Sequence, residues 1–396
     1  MPKLTIKDIP VEGKKIFVRV DFNVPLSPEG KVLDNFRIRS SLPTIEYLRE
    51  RGARLVLASH LGRPKGKVVE GLRMAPVAEE LSRLLGEKVV YIQEVVGADA
   101  EQASRDLPPG GVLLLENLRF EPGEEKNDPE LAMAMANLAD IFVNDAFGTA
   151  HRAHASTAGI ATFLPTVAGF VMEKELHYLS KSRENPVHPS SAILGGKKVA
   201  DKIGVIRYFM EQVDYLLLGG AMANTFLKAK GFSIGSSLFE EDKLGVAEEI
   251  LKESSQKNVE ILLPVDVVIT EELRTGAPNK VVGVQEIPDG WSAVDLGPKT
   301  VQLFKDKISA SKLAVWNGPL GAYEFPPFNK GTSDIAGIIA GAGIESVIGG
   351  GDIVAAIQEL GLADKFSHLS TGGGATLEYW EGKILPGVDA IWEKTE

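Results

Sequence analysis

The sequence predicts an α/β protein of two doubly wound domains, each with a central, mostly parallel sheet flanked by helices, and three observations carry that reading. Short β-branched runs alternate with longer stretches of helical period, the pattern of parallel strands joined by crossover helices. The chain has 396 residues, more than one core ordinarily serves, so two domains are expected. The halves also differ in the residues placed at the end of each strand-like run: charged or imidazole side chains in residues 1 to 155, glycines in residues 190 to 375.

In order along the chain, the first half offers strands at Ile16 to Val20, Leu55 to Ala58, Val89 to Ile92, Val112 to Leu115 and Ile141 to Val143. The second offers Ala192 to Leu194, Tyr215 to Leu218, Ile261 to Leu263, Leu313 to Trp316, Ser346 to Ile348 and His368 to Ser370. Helical period appears at Leu42 to Glu50, Met74 to Leu85, Pro129 to Leu138, Val199 to Gln212 and Asp242 to Ser254. Residues 171–185, apolar at Val171, Leu176 and Leu179 among charges and ended by Pro186 and Pro189, predict a solvated connecting helix between domains at 1–170 and 186–381. The uncharged stretch Ala155 to Met172 contains Pro165 and hydroxyl residues and falls short of the ~20 apolar positions of a membrane span, so it reads as buried segments.

Composition excludes several functions. There is no cysteine, which removes disulfides, thiolate metal sites and thiol nucleophiles. A net charge of −11 opposes a broad surface for nucleic acid or an anionic membrane, so any anion site is local. The opening MPKLTIKDIPVEGKKIF lacks a basic region followed by an apolar stretch, which fits a cytoplasmic location.

In open parallel sheets ligands bind beyond the carboxyl ends of the strands, where all the polar and glycine clusters of this chain fall. In the first half Arg37, Arg63, Arg119 and Arg152 follow strand ends with His60, His151 and His154, beside Asp21 and Asn23. Guanidinium forks grip carboxylate and phosphate bidentately, so such a group suits a small acid carrying both. In the second half Gly195-Gly196-Lys197-Lys198 before a helix suggests amides facing an anion, with Lys198 and Lys202 one turn apart on one helix face. Gly349-Gly350-Gly351-Asp352 repeats the arrangement and adds a carboxylate that reads either as a ligand for Mg2+ or as a helix N-cap. Gly62 to Val68 is a near miss to a P-loop, and Gly349 to Val354 lacks the last glycine of the dinucleotide fingerprint, which weakens a dehydrogenase reading. No nucleophile–histidine–acid arrangement is apparent. A carboxylate acceptor, with a reference pKa of about 4, needs no general base, so phosphoryl transfer could proceed by positioning and charge stabilisation alone.

The motifs VRVDFNVP (Val18 to Pro25), SHLGRP (Ser59 to Pro64), LLLENLRF (Leu113 to Phe120), NDAFGTAHRAHAST (Asn144 to Thr157), DKIGVI (Asp201 to Ile206), VWNGP (Val315 to Pro319), GGGD (Gly349 to Asp352) and STGGGA (Ser370 to Ala375) resemble those of phosphoglycerate kinases, in the family's order. The resemblance implies a monomeric glycolytic enzyme moving a phosphoryl group between 1,3-bisphosphoglycerate and ADP, with magnesium, by domain closure. It places the glycerate at Asp21, Phe22, Asn23, Arg37, His60, Leu61, Gly62, Arg63, Arg119 and Arg152. It places the nucleotide at Lys198, Lys202, Gly220, Asn317, Pro319, Glu324, Gly350, Gly351, Asp352 and Ile353, with Asp352 near the metal. Arg37, Lys198, Gly351 and Gly374 are implied at the transferred group, and residues 382–396 are expected to return to the first domain. Two positions depart from the family: Ile353, where a threonine or serine hydroxyl is usual, and Lys197, where alanine is usual. The missing hydroxyl predicts weaker nucleotide binding or a lower rate. A non-catalytic phosphometabolite-binding protein is the alternative.

Overall fold

The structure, a computed structural model, describes residues 2–184 and 186–394. The chain divides into two compact units, Met1–His177 with Ile384–Glu396 and Tyr178–Lys383.

The first unit is built on strands β1 (Lys15–Arg19), β2 (Arg54–Ala58), β3 (Val90–Tyr91), β4 (Val112–Leu114), β5 (Ile141–Asn144) and β6 (Thr166–Ala168). They form one parallel sheet in the order β3-β4-β2-β1-β5-β6. Alternate residues point to opposite faces, and both faces are covered. Ile16, Val18, Leu55, Leu57, Ile141 and Val143 enter one apolar cluster, while Phe17, Val56, Ala58, Leu113 and Phe142 enter the other. This double burial is why the strands read as continuous apolar runs rather than as alternating ones. The segment from Ile384 joins this unit: Leu4 N donates to Trp392 O at 2.7 Å, and Gly387 N donates to Ala150 O at 2.8 Å.

The second unit contains β7 (Ser190–Leu194), β8 (Tyr215–Leu218), β9 (Glu260–Leu262), β10 (Asp266–Thr270), β11 (Lys280–Gly283), β12 (Ser292–Leu296), β13 (Leu313–Asn317), β14 (Glu345–Gly349) and β15 (His368–Leu369). Six of them form a parallel sheet, β15-β14-β13-β7-β8-β9. The other three form a small antiparallel sheet, β11-β10-β12, unforeseen in the sequence although β10 is itself a β-branched run. In the larger sheet the chain leaves β7 towards β8 and later returns on its other side at β13. The crevice between β7 and β13 is therefore the switch point at which an open sheet binds ligands.

Several helices differ from the sequence reading. The first begins at Phe36 rather than Leu42 and runs through Pro43 to Glu50, because Ile38, Thr44, Ile45 and Leu48 bury one continuous face. The connecting helix spans Phe170–Glu184 and is not a solvated rod: Met172, Glu175, Leu179 and Ser182 are buried, and Ser182 accepts a hydrogen bond from Trp380 Nε1. Its start is held by Asp145, just after β5, which accepts from Val171 N at 2.8 Å and so satisfies an orphan helix donor from a distance. Asn185 lies outside the described residues. The stretch Ala155 to Met172 resolves into short helical turns, β6 and the beginning of the connecting helix, and no helix among the described residues is long and apolar enough to cross a membrane.

Candidate functional site

The loops after β1, β2, β4 and β5, four neighbouring strands, bring the first group together. Arg37, in the first turn of its helix, donates to Asp21 Oδ2 at 2.5 Å. Asn23 Oδ1 accepts from Gly62 N at 2.9 Å, and the Gly62 carbonyl accepts from Arg119 Nη1 at 2.8 Å, so three loops are tied at one point. Arg63 and Arg152 are exposed, and Arg152 Nε donates to His151 Nε2. The electrostatics of the buried groups fits this convergence. Burial lowers the Arg119 pKa, Glu125 opposes the shift, and Arg152 and Arg63 add to it. Burial holds the His60 imidazole well below its usual range, with Arg19, Arg119, Arg37 and His154 pushing the same way. Arg19, Arg37 and Arg119 thus share one local field with a neutral His60, and Arg63 and Arg152 extend it through Arg119. Phe22 and Leu61 are different: both side chains lie in the core, and their amides are spent on Ser59 Oγ and Asn117 Oδ1. They shape the loop.

Behind this cluster is a polar layer the sequence reading missed. Asn117 Oδ1 accepts from Leu61 N and Arg119 N, while its Nδ2 donates to Leu61 O and Leu72 O, so one amide fixes the loops carrying His60 and Arg119. Arg19, the last residue of β1, is 1% exposed and donates from Nε to Ser156 Oγ at 3.0 Å. Ser156 in turn donates to buried Glu124 at 2.6 Å. The available signal was a guanidinium inside an apolar strand, which demands a buried partner.

The second group gathers at the carboxyl ends of β7, β13 and β14, with two corrections. The amides of Gly195 and Gly196 do not face an anion: they donate to Asn317 O at 2.8 Å and Pro319 O at 2.9 Å. The following helix spans Ile203–Phe209, not Val199 to Gln212, because the Glu240 carboxylate accepts from Val199 N and Ala200 N and holds this stretch as a turn. Lys198 and Lys202 are therefore not a pair on one helix face. Lys198 is exposed, whereas Lys202 is buried and its ammonium donates to Asn317 Oδ1. Asn317 Nδ2 donates to Gly349 O at 2.5 Å, so this residue joins the three loops. Gly220 opens the next helix against the Gly196 backbone.

The helix Gly351–Glu359 starts directly after β14, with Gly350 at its N-cap, φ 111°. Asp352 is therefore not the cap: it is exposed in the first turn, with no side-chain capping bond. It lies within electrostatic reach of Lys202. No cluster of three or more acidic or histidine ligands occurs among the described residues, so any divalent cation here would come with phosphate oxygens. Gly374 opens a short helix after β15, whose Thr376 packs near Gly349. Lys197 is exposed and 3.8 Å from exposed Glu324, one of the residues implied at the nucleotide.

Two expected outcomes arise at these positions. Burial pushes the Lys202 pKa down to about 8, against the opposing charges of Asp201, Asp352 and Glu381. Above that pH the free protein holds a neutral amine, while a bound triphosphate favours the ammonium. Nucleotide affinity should fall as pH rises through about 8, and binding near that pH should take up a proton, measured by calorimetry in buffers of different ionisation heat. The Ile353 side chain is 0% exposed and belongs to the apolar cluster of the second unit. Ile353→Thr should lower that unit's stability by about 1–3 kcal/mol, read by thermal unfolding. A lower KM for nucleotide would accompany it if the new hydroxyl meets a phosphate.

Paired parallel-sheet units, one carrying a guanidinium cluster and the other a lysine beside a glycine-opened helix, fit a phosphotransferase of the α/β class. The comparisons are specific. The sequence profile of the family described as phosphoglycerate kinase matches residues 6–383. A phosphoglycerate kinase of Moorella thermoacetica is 53% identical over 394 residues, covering 100% of both chains. The solved phosphoglycerate kinase of Coxiella burnetii superposes with a TM-score of 0.91 at 41% identity, and that of Pyrococcus horikoshii with 0.84 at 33%, each over 98% of both chains. The chain belongs to the phosphoglycerate kinase family.

Proposed function

We infer that the chain is a glycolytic kinase that transfers a phosphoryl group between 1,3-bisphosphoglycerate and ADP, or in reverse from ATP to 3-phosphoglycerate. The observation that carries the division of labour is the gathering of Arg37 and Arg119 around His60 in the first unit, with Arg63 and Arg152 close enough to act on Arg119. There the acid's phosphate and carboxylate meet guanidinium forks, while Asp21 and Asn23 address its hydroxyl. The second unit takes the magnesium nucleotide, with Lys198 and Lys202 on its phosphates, Asp352 towards the cation, and the loops at Gly220, Asn317 to Pro319, Glu324 and Gly350 to Ile353 around the rest. In the ATP-consuming direction a carboxylate oxygen attacks the γ-phosphorus, the bond from that phosphorus to the bridging oxygen breaks, and ADP leaves with the electron pair. No proton has to move, since the carboxylate is ionised at neutral pH. Arg37 and Lys198 then hold charge on the transferred group, with amides near Gly351 and Gly374.

Acid and nucleotide bound to separate units must meet, so the reaction requires closure, which also keeps water from the acyl phosphate. Small-angle scattering should give a smaller radius of gyration with both substrates than with either alone. Family membership supports a monomer acting in the cytoplasm. A coupled assay of ATP with 3-phosphoglycerate tests the activity: turnover is expected, and its absence with both ligands bound would favour a sensor.

A further inference from the structure

We infer that Arg19 is a positioning residue that holds His60 as the neutral tautomer with its proton on Nε2, so that the ring presents an N–H donor to the acid substrate; this rests on the acid-binding reading of the first unit. The argument is one of hydrogen-bond polarity. Arg19 Nη2 lies 3.2 Å from His60 Nδ1. A guanidinium has only donors and keeps its charge at any working pH, so Nδ1 must be the acceptor and carries no proton. A neutral imidazole with a bare Nδ1 is protonated at Nε2.

The other contacts of Arg19 allow no alternative. Its Nη1 donates to the Val20 carbonyl and its Nε to Ser156 Oγ. The single Ser156 hydroxyl proton is committed to Glu124 Oε1, and Glu124 Oε2 accepts from Ser156 N at 3.0 Å. The direction of each bond from Glu124 to His60 is therefore fixed. At 1% exposure Arg19 is enclosed by the cluster it supports. His60 Nε2 has no protein partner among the described residues and is not among the sealed, unpartnered atoms, so its N–H is the free end of the relay. The guanidinium groups of Arg19, Arg37 and Arg119 and the neighbouring His154 ring all oppose a second proton. A donor fixed in this way suits a carboxylate or hydroxyl oxygen. The opposite tautomer would turn a lone pair towards the acid's negative charge.

The test is nitrogen-15 NMR of the His60 ring in the substrate-free protein over about pH 6 to 8. An unprotonated Nδ1 and a protonated Nε2 throughout are expected; a proton on Nδ1, alone or in an imidazolium, overturns the inference. This readout does not depend on turnover, so it separates the inference from the assigned activity. Arg19→Met combined with Glu124→Gln removes both buried charges together and avoids leaving one unpaired. In that variant the KM for 3-phosphoglycerate should rise and become pH-dependent, improving as pH falls and His60 gains its second proton, while kcat at saturating acid holds. A folded variant with an unchanged KM and a flat pH profile would also overturn it.

Discussion

Replacing Arg37 with alanine should lower kcat by about 10²–10³-fold, the usual consequence of deleting one preorganised donor aimed at transition-state charge. Arg37 stands in the first turn of the Phe36–Glu50 helix, and its guanidinium is already fixed by Asp21 at 2.5 Å. Its side chain is 36% exposed, so the pair contributes no more than about 1 kcal/mol to folding, and thermal stability should hardly change. Arg37→Lys should recover only part of the rate, because an ammonium keeps the charge but not the planar fork. Steady-state kinetics with both substrates saturating, beside a thermal melt, reads both effects. A kcat within a few-fold of the parent would remove Arg37 from the transferred group.

Gly195→Ala should damage the second unit severely. A Cβ at this position would sit 2.2 Å from Pro319 O and 2.8 Å from Gly318 O, both backbone atoms that cannot rotate away. The loops after β7 and β13 would have to part, breaking the bonds from Gly195 N to Asn317 O and from Gly196 N to Pro319 O. A cost of about 3 kcal/mol is expected for such overpacking. Because Asn317 also receives Lys202 and donates to Gly349 O, nucleotide KM should rise together with the loss of stability. Calorimetric melting and KM for ATP measure the two, and the first unit should be unaffected. Retention of both parent values would mean that the close approach of these loops is not required.

The parallel sheets were legible in the sequence because strands buried on both faces leave uninterrupted apolar runs, as at Ile16 to Val20 and Leu313 to Trp316. The arginines were legible for a different reason: each comes after such a run, and parallel topology carries all their loops to one edge. The glycines misled. Gly195 and Gly196 are needed where two backbones nearly touch, and a glycine that makes room for a neighbouring carbonyl looks the same in sequence as one that makes room for a phosphate. The lysine pair was misplaced because Glu240, remote in sequence, holds residues 199 and 200 out of the helix. Arg19, Asn117 and Glu124 act through partners up to 137 positions away, a separation that local pattern does not encode. The cap reading of Asp352 fails because Gly350 takes that position, which the run of glycines in the sequence did not reveal.

Independent recognition of the two substrates by the two units is the central claim, and isothermal calorimetry on Arg119→Ala and Lys202→Met tests it most directly. The first should lose affinity for 3-phosphoglycerate while binding magnesium ATP as the parent does, and the second should show the reverse. Acid binding that survives loss of Arg119, or loss of both ligands on either substitution, would contradict the account.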